Sequence, residues 1–308
     1  MKIASIDIGS NTVLMLIAVI DKKKAVSSIN NYYRMPRLAK GLDKSGEISE
    51  EKLEEFFEVL NEYKQIILKE KCDKILVNAT AAMRNAKNSD SIIKVVKEKF
   101  EININVIDGN TEAEYSFLGA TSSYLDLPND KIVIDIGGAS TEIVVGDNNG
   151  IKYSKSFNIG AVKLTDKVVQ NDPPIKSEIS ELHKEVQGTF NEINNKFDKN
   201  LFTIAVAGTP TTLSCIKQNL KDYVEEKVED SVLSKHDLEF IISEMSNKSG
   251  RQILEDYGEV VKGRNDVILA GSIILYNLFD ILNIDEIHVS SKGIRYGAII
   301  AYLNDVNQ

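Results

Sequence analysis

The sequence predicts an α/β protein made of two similarly built halves, and three observations support this prediction. The segment Asp7–Thr12 (DIGSNT) returns later in the chain as Asp135–Thr141 (DIGGAST). A short apolar run precedes and follows each copy, which is the pattern of a strand, a tight turn and a second strand. Each half then mixes runs of strand length with longer segments of helical periodicity. The same order of elements in both halves indicates an internal duplication rather than one doubly wound sheet.

After its hairpin, the first half is predicted to contain further strands and helices in a defined order. The predicted elements are a polar third strand, a loop at 34–48, a helix capped by Ser49, a strand at 74–78, a helix at 91–100, a strand at 104–107 and a helix beginning within 111–119. The helix after Ser49 has an apolar stripe at helical spacing, formed by Leu53, Phe56, Phe57, Leu60 and Ile67. Arg84 follows a strand and a Thr-Ala-Ala turn, a position from which a guanidinium can reach a cleft.

The second half repeats this order. After its hairpin the sequence predicts a third strand at 153–159, helices, a buried strand at 203–207 that runs into Gly208–Thr212, a strand at 286–289 and a last helix from about Arg295. We place the domain boundary near residue 124. The first domain is then 1–124 and the second 125–295, with a C-terminal helix of about 296–308 packing back on the first.

The bulk composition limits the possible functions. With 308 residues, 43% hydrophobic and 27% charged, the chain can bury two ordinary cores. The net charge of −9 argues against non-specific nucleic-acid binding, because that binding needs a basic surface. A phosphorylated small substrate stays compatible, since the local field in a cleft can oppose the overall charge.

The chain shows no sign of membrane insertion or secretion. No apolar run approaches the roughly 20 residues needed to span a bilayer. The first residues already resemble a strand and not a signal peptide. Cys72 and Cys215 lie in apolar neighbourhoods without metal-type spacing, so we expect reduced core residues, with a disulfide between them as the alternative. These features predict a cytoplasmic protein that does not bind membranes.

Two polar motifs are interpreted as structural. His236-Asp237 resembles a metal-binding His-Asp pair, but Ser234 and Asp237 have the spacing of a capping box and no second histidine cluster exists. The acidic run 222–230 is predicted to be a solvated helix face.

The repeated turn carries the chemical prediction. Glycine lets backbone N–H groups close on an anion, hydroxyls add donors, and an aspartate can hold a hydrated divalent cation. Two such turns predict two half-sites that face each other across a cleft and hold a phosphate chain. The alternative is that Asp7 and Asp135 merely cap their turns. A single Asp-Gly turn would favour that alternative, whereas the duplicated pair favours function.

At this point the chain resembles the exopolyphosphatase/guanosine pentaphosphate phosphatase (Ppx/GppA) family, in its short two-domain form. The motifs that carry the resemblance are Asp7–Thr12, Thr80–Asn88, Asp108–Gly119, Asp135–Glu142 and Gly208–Thr212, with supporting segments at 37–46, 158–164, 263–275 and 285–297. The resemblance implies the actin-like fold, with two ribonuclease-H-like domains and the active site in the cleft between them. It also implies a homodimer. Ala139 stands where the family usually has a third glycine, and we expect it to be tolerated if its φ is negative.

The resemblance also implies roles for individual residues. Glu112 matches the catalytic glutamate, as a base or a water-positioning group, and Arg84 is expected to hold phosphate oxygens. Asp135 and Glu142, with Asp7, are expected to hold Mg²⁺ or Mn²⁺. The expected phosphate-binding residues are Ser10, Asn11, Thr12, Arg37, Gly137, Gly138, Ser140, Thr141, Gly208 and Thr209.

Several of these residues also have a purely structural explanation. Glu112 would complement a helix dipole, Arg84 would form a surface ion pair, and Gly208-Thr209 would be a capped strand-to-helix turn.

The predicted function is hydrolysis of a phosphoanhydride with release of terminal orthophosphate. The substrate is inorganic polyphosphate, the 5′ end of guanosine pentaphosphate, or both. One alternative is a small-molecule kinase of the same fold, which would make ADP only when its acceptor is present. Another is a non-catalytic sensor or filament-forming protein, and a sensor would return bound guanosine pentaphosphate intact.

Overall fold

The computed structural model describes residues 1–21, 26–127, 130–197 and 201–306. Contacts within the chain divide it into two compact units. Unit 1 comprises the described residues of Met1–Gly119 and Lys292–Gln308, and unit 2 those of Ala120–Ser291. Each unit contains one mixed β-sheet and several helices, so the predicted α/β class is confirmed.

The sheet of unit 1 has five strands among the described residues. They are β1 (Lys2–Ile8), β2 (Val13–Ile20), β3 (Val26–Arg34), β4 (Lys74–Ala79) and β5 (Asn105–Val106). The order across the sheet is β3-β2-β1-β4-β5. The first three strands are antiparallel to one another, whereas β4 is parallel to β1 and β5 is parallel to β4. The carboxyl ends of β1, β4 and β5 therefore lie along one edge of the sheet.

Among the described residues, five helices begin between Leu42 and Thr121. They are α1 (Leu42–Ser45), α2 (Glu50–Glu70), α3 (Ala81–Asn85), α4 (Ser89–Phe100) and α5 (Gly109–Thr121). The predicted loop at 34–48 is thus interrupted by the short helix α1, which lies between two left-handed glycines, Gly41 and Gly46. Ser49 is the N-cap of α2 as predicted, although its side chain makes no capping hydrogen bond.

Helix α2 buries one face against the sheet of unit 1. Phe56, Leu60 and Ile67 of the predicted stripe are buried, while Leu53 and Phe57 are half-buried at its margin. Tyr63 lies on the same face, and its hydroxyl donates to the carbonyl oxygen of Val13 (2.8 Å). Burial raises the pKa of Tyr63 well above its usual range. The helix is therefore fixed to the start of β2, next to the first turn.

Unit 2 repeats this architecture. Its described strands are β6 (Lys131–Ile136), β7 (Thr141–Asp147), β8 (Gly150–Phe157), β9 (Phe202–Val206), β10 (Ser231–Ser234) and β11 (Glu286–Val289). Read from the hairpin side, the order is β8-β7-β6-β9-β11-β10. As in unit 1, a three-stranded antiparallel set is followed by two parallel strands, here β9 and β11. The predicted internal duplication is confirmed, and β10 is an addition at the far edge.

Unit 2 contains several described helices, and the last of them is apolar and surrounded by others. These helices are α6 (Ala161–Val168), α7 (Lys176–Phe190), α8 (Gly208–Lys217), α9 (Glu225–Val228), α10 (Lys235–Met245), α11 (Gly250–Tyr257) and α12 (Ile268–Leu282). Nearly every residue of α12 is buried, because α6, α7, α8 and α10 pack around it. Such an all-round apolar sequence is typical of a core helix.

The last helix, α13 (Ile294–Asp305), belongs to unit 1 and packs on β1, β2 and β3. Its Tyr296 and Ile299 form a small core with Ile3 and Leu16. Residues 307 and 308, which the predicted helix included, lie outside the described residues. No helix in the described ranges is both long enough and apolar enough to cross a bilayer.

Candidate functional site

The first repeated turn closes directly after β1. The backbone N–H of Gly9 donates to the carbonyl oxygen of Thr12 (2.9 Å). Ser10 is buried, and Asn11 and Thr12 are half-buried. The turn therefore holds two hydroxyls and an amide at the carboxyl end of a central strand.

The second turn uses the same hydrogen bond. The backbone N–H of Gly137 donates to the carbonyl oxygen of Ser140 (3.0 Å) after β6. Ala139 is not among the residues with positive φ, so the expectation that alanine is tolerated there is confirmed. Ser140 is buried, and Gly137 and Gly138 are half-buried. The sequence repeat is thus also a repeat of backbone geometry.

The carboxyl edge of the unit 1 sheet brings predicted catalytic residues together. Because β1, β4 and β5 are parallel neighbours, the segments that follow them leave from the same edge. In open α/β sheets this edge is where ligands bind. Helix α3 carries Arg84 there and α5 carries Glu112. The segment before Arg84 that the sequence suggested as a turn is part of α3.

Arg84 and Glu112 form an ion pair. Nη1 of Arg84 lies 2.9 Å from Oε2 of Glu112 and also donates to the carbonyl oxygen of Ile107 (2.8 Å). The Glu112 side chain is only 7% exposed, and that of Arg84 is 27% exposed. Arg84 is therefore held at both the end of the β5 segment and the start of α5. The pair is more enclosed than an ordinary surface ion pair.

Asp108 caps the helix that carries Glu112. Its Oδ1 accepts a hydrogen bond from the backbone N–H of Thr111 (2.8 Å), and its carbonyl oxygen accepts one from the N–H of Glu112 (3.0 Å). The Thr111 backbone hydrogen bond lowers the pKa of Asp108. The cap sets the position of the first turn of α5, and with it the Glu112 carboxylate.

The loop that contains Arg37 is attached to the first turn. The N–H of Arg37 donates to the carbonyl oxygen of Asn11 (3.1 Å), and the N–H of Ala39 donates to that of Ser10 (2.9 Å). Arg37 itself has a φ of 55°. An arginine held in the left-handed region indicates that the surrounding contacts fix this loop. Arg37 is thereby brought next to the predicted phosphate turn.

The predicted metal ligands Asp135 and Glu142 are cross-strand partners in the β6–β7 hairpin. Both are buried, and Oε1 of Glu142 accepts a hydrogen bond from the Ser156 hydroxyl (2.6 Å). In unit 1 the equivalent partner of Asp7 is Leu14, so the first hairpin has no such acidic pair. Among the described residues, no group of three or more His, Cys, Asp or Glu side chains is arranged to hold a metal.

The hydroxyls of the second turn have different surroundings. Thr141 is fully buried, and its hydroxyl donates to the carbonyl oxygen of Ile159 (2.7 Å). That bond joins the turn to the segment before α6. The N–H groups of Ala161 and Val162 donate to the carbonyl oxygens of Gly137 (3.0 Å) and Gly138 (2.9 Å). These hydrogen bonds from the start of α6 therefore fix the position of the turn.

Gly160 makes this close approach possible, and sequence reasoning did not single it out. A Cβ at position 160 would lie 2.6 Å from the carbonyl carbon and oxygen of Gly138. We expect Gly160→Ala to cost about 1–3 kcal/mol in the free energy of unfolding, because backbone must move to fit the methyl group. Urea unfolding measures this cost.

Gly188 in α7 provides the control, since a Cβ there meets nothing within 4 Å. Gly188→Ala should leave stability unchanged or raise it by about 0.5–1 kcal/mol. Equal free energies of unfolding for Gly160→Ala and Gly188→Ala would show that the close approach of Gly160 to Gly138 does not affect stability.

A third predicted phosphate-binding turn follows β9. Ala207 has a φ of 76°, and α8 begins at Gly208. Nη1 of Arg264 donates to the carbonyl oxygen of Gly208 (2.6 Å) and to the Thr212 hydroxyl (3.0 Å). Thr209 is buried. Arg264 was also missed, because an isolated arginine in sequence gives no sign of the carbonyl it will bind.

One further interpretation can be compared with the structure. Ser234 and Asp237 form the predicted capping box at the start of α10, so the structural interpretation of His236-Asp237 is confirmed. Arg295 donates to Oδ1 of Asn31 (2.6 Å) within unit 1. The predicted site residues thus lie in three local groups: the first turn with the Arg37 loop and the Arg84–Glu112 pair, the second turn with its acidic pair, and the turn after β9.

Comparison with known proteins gives a consistent result. The model of the Ppx/GppA phosphatase family matches residues 16–305. A bifunctional 3-dehydroquinate synthase/phosphatase of Fusobacterium nucleatum is 32% identical over 307 residues, which cover 96% of this chain and 46% of that protein. The chain therefore spans less than half the length of that relative. Exopolyphosphatase 2 of Mycobacterium tuberculosis is 27% identical over 314 residues, covering 97% and 98% of the two chains.

A solved structure agrees with these relatives. The crystal structure of the Aquifex aeolicus member of the Ppx/GppA family has a TM-score of 0.84 and 30% identity, and the match covers 100% of this chain and 99% of that one. The actin-like class with two ribonuclease-H-like domains, which the resemblance implied, is confirmed. The chain belongs to the Ppx/GppA phosphatase family.

Proposed function

We propose that this protein is a phosphoanhydride hydrolase that releases terminal orthophosphate from inorganic polyphosphate, from the 5′ end of guanosine pentaphosphate, or from both. The observation that carries the proposal is the enclosed Arg84–Glu112 pair. The pair lies at the carboxyl edge of the unit 1 sheet, where the first glycine–hydroxyl turn follows β1. Family membership supports the hydrolase class, and the relatives include proteins named exopolyphosphatase and guanosine-5′-triphosphate,3′-diphosphate pyrophosphatase.

Glu112 is assigned to the attacking water. The carboxylate is held through Oε2 by Arg84, and we assign it to the positioning of the water. A carboxylate in the first turn of a helix is stabilised as an anion by the helix dipole, and the buried Glu112 carboxylate is also stabilised by its ion pair with Arg84. Glu112 should therefore orient the water more than remove its proton early, which suits the loose transition state of phosphoryl transfer.

Arg84 is assigned two tasks. Nη1 fixes the Glu112 carboxylate through the contact already described, while Nη2 and Nε are the atoms that we assign to phosphate oxygens. A planar guanidinium can serve both partners because its N–H groups point in fixed, different directions. In this model Arg84 sets the distance between the water-positioning carboxylate and the phosphorus that the water attacks.

The glycine–hydroxyl turns are assigned to the phosphate groups. In unit 1 these are the first turn and Arg37, and in unit 2 they are Gly137, Gly138 and Ser140. Gly208 and Thr209, in the turn after β9, are also assigned to phosphate groups. Thr141 is given a different task from the one the resemblance implied, since its hydroxyl donates to Ile159 and holds the turn.

The acidic residues fit a hydrated Mg²⁺ or Mn²⁺ ion. Mg²⁺ in proteins is held by one or two carboxylates together with substrate phosphates and waters, so the buried pair Asp135 and Glu142 supplies enough charge. Asn11 Oδ1 is a buried acceptor without a hydrogen-bond partner among the described residues, which suits a water or another donor bound at the first turn. Asp7 is the third candidate ligand. When bound, the ion would neutralise charge on the phosphate oxygens.

Orthophosphate release, measured side by side on polyphosphate and guanosine pentaphosphate with and without Mg²⁺, tests the proposal. We expect Mg²⁺-dependent release from at least one substrate with water as the only acceptor. Formation of ADP from ATP only when an acceptor is added would favour the kinase. Binding of guanosine pentaphosphate without any hydrolysis would favour the sensor. The homodimer and the cytoplasmic location stay predictions.

A further inference from the structure

The chain enters unit 2 after Gly119 and leaves it after Ser291. We call residues 120–124 the entry segment and residues 288–291 the exit segment. Both are hydrogen-bonded to residues 225–231, here called the latch segment. The prediction that the acidic run 222–230 is a solvated helix face is wrong for this part, because α9 ends at Val228 and the next two carboxylates are bonded to other segments.

Glu229 binds both segments at once. The Ser123 hydroxyl of the entry segment donates to its Oε1 (3.1 Å). From the exit segment, the N–H and the hydroxyl of Ser291 donate to its Oε2 (2.7 and 2.8 Å). The Ser290 hydroxyl adds a longer contact (3.3 Å). One carboxylate thus accepts hydrogen bonds from residues far apart in sequence, and charged acceptors make the stronger bonds.

Asp230 repeats this arrangement one residue later. Its Oδ1 accepts a hydrogen bond from the Tyr124 hydroxyl (2.7 Å) and lies 2.7 Å from Nδ1 of His288. Its N–H donates to the carbonyl oxygen of Val289 (2.8 Å). Asp230 has a φ of 60°, a backbone conformation that the surrounding bonds must hold. Two successive carboxylates therefore tie the entry segment to the exit segment.

The latch segment is also bonded to α8 and to Gln218, which caps the carboxyl end of that helix. The Ser214 and Ser231 hydroxyl oxygens lie 2.6 Å apart. Nε2 of Gln218 donates both to the Ser214 hydroxyl (2.9 Å) and to the carbonyl oxygen of Lys227 (2.8 Å). The same helix begins at Gly208, in the turn assigned to phosphate binding. A rigid helix therefore joins that turn to the latch segment.

We propose that the latch segment fixes the points at which the chain enters and leaves unit 2, and that α8 transmits occupancy of the Gly208–Thr209 turn to it. The first part of this proposal rests only on the hydrogen bonds of Glu229 and Asp230. The second part rests on the proposed function, because it needs phosphate at that turn. Rigid elements with hydrogen-bonded ends are a physical route for such coupling.

Hydrogen exchange of the ligand-free protein, followed by mass spectrometry, tests the first part. We expect Tyr124→Phe, which loses one hydrogen bond, to speed exchange in peptides covering 120–124 and 288–291 by about three- to tenfold. Glu229→Ala loses the hydrogen bonds from Ser123, Ser290 and Ser291 and should speed it by about tenfold or more. Glu226→Ala, at an exposed residue of α9 within the latch segment, is the control and should leave these peptides unchanged. Wild-type exchange rates in both test variants would overturn the latch.

Addition of inorganic tripolyphosphate tests the second part. Calorimetry first establishes whether it binds, and exchange is then measured with and without it. We expect slower exchange in the entry and exit segments of wild type and of Lys221→Met, and no slowing in Gln218→Met. If tripolyphosphate binds but hydrogen exchange in wild type does not slow, only the link through α8 is overturned. Absence of binding overturns both that link and the phosphate-binding turns of the proposed function.

Discussion

Glu112→Gln is expected to abolish orthophosphate release while substrate binding survives. The amide keeps the size of the side chain and can still accept a hydrogen bond from Arg84, but it lacks the charge that orients and polarises the water. General-base and water-positioning groups contribute about 10²- to 10⁴-fold, so kcat should fall by at least about 100-fold. Steady-state phosphate release gives kcat, and calorimetry with tripolyphosphate gives the affinity.

Glu114→Gln is the matched control for this experiment. Glu114 lies two residues further along α5 and is exposed, whereas Glu112 is 5% exposed. Residues two apart on a helix do not share a face, so the control changes the same net charge without reaching the site. A Glu112→Gln protein with the kcat of wild type would remove Glu112 from the mechanism. Equal losses in both variants would show that only the charge of α5 matters.

The local signals of the sequence were sufficient to predict an α/β protein with two similarly built halves, because these signals agree with one another. Each hairpin is encoded by an apolar run, a glycine turn and a second apolar run, and both hairpins form with the same closing hydrogen bond. The helix α1 was missed because four residues between two glycines carry no periodicity. The strand order of the sheets depends on long-range pairing, which the local patterns do not encode, and the actin-like fold was expected only from the resemblance to the Ppx/GppA family.

The site was predictable only where a residue type has few alternative explanations. Glu112 and Arg84 were selected separately, and their direct contact follows from the parallel pairing of β4 with β5, which local sequence does not encode. Gly160 and Arg264 act on the carbonyl oxygens and backbone of distant turns. Such partners become visible only when the chain is folded. The misread acidic run shows the same limit, since a carboxylate in sequence does not reveal its donors.

Arg84→Ala is expected to reduce both affinity and turnover, whereas Arg84→Lys should keep more of the affinity. A lysine ammonium restores one positive charge for phosphate, but its single nitrogen cannot reproduce a fork that holds Glu112, the Ile107 carbonyl oxygen and phosphate together. Charge-assisted hydrogen bonds contribute about 1.5–3 kcal/mol, so Arg84→Ala should weaken tripolyphosphate binding at least about tenfold. Calorimetry gives the affinities and phosphate release gives kcat.

A control and a double variant complete this test. Arg251→Ala removes an arginine from an exposed i,i+4 pair with Glu255 and should change neither quantity. The variant that combines Arg84→Ala with Glu112→Gln should lose less activity than the product of the two single losses, because Arg84 acts partly by holding Glu112. If the two losses of activity multiply strictly, Arg84 and Glu112 act independently in the mechanism. Equal affinities for wild type, Arg84→Ala and Arg84→Lys would instead place Arg84 outside the phosphate-binding groups and leave it only the positioning of Glu112.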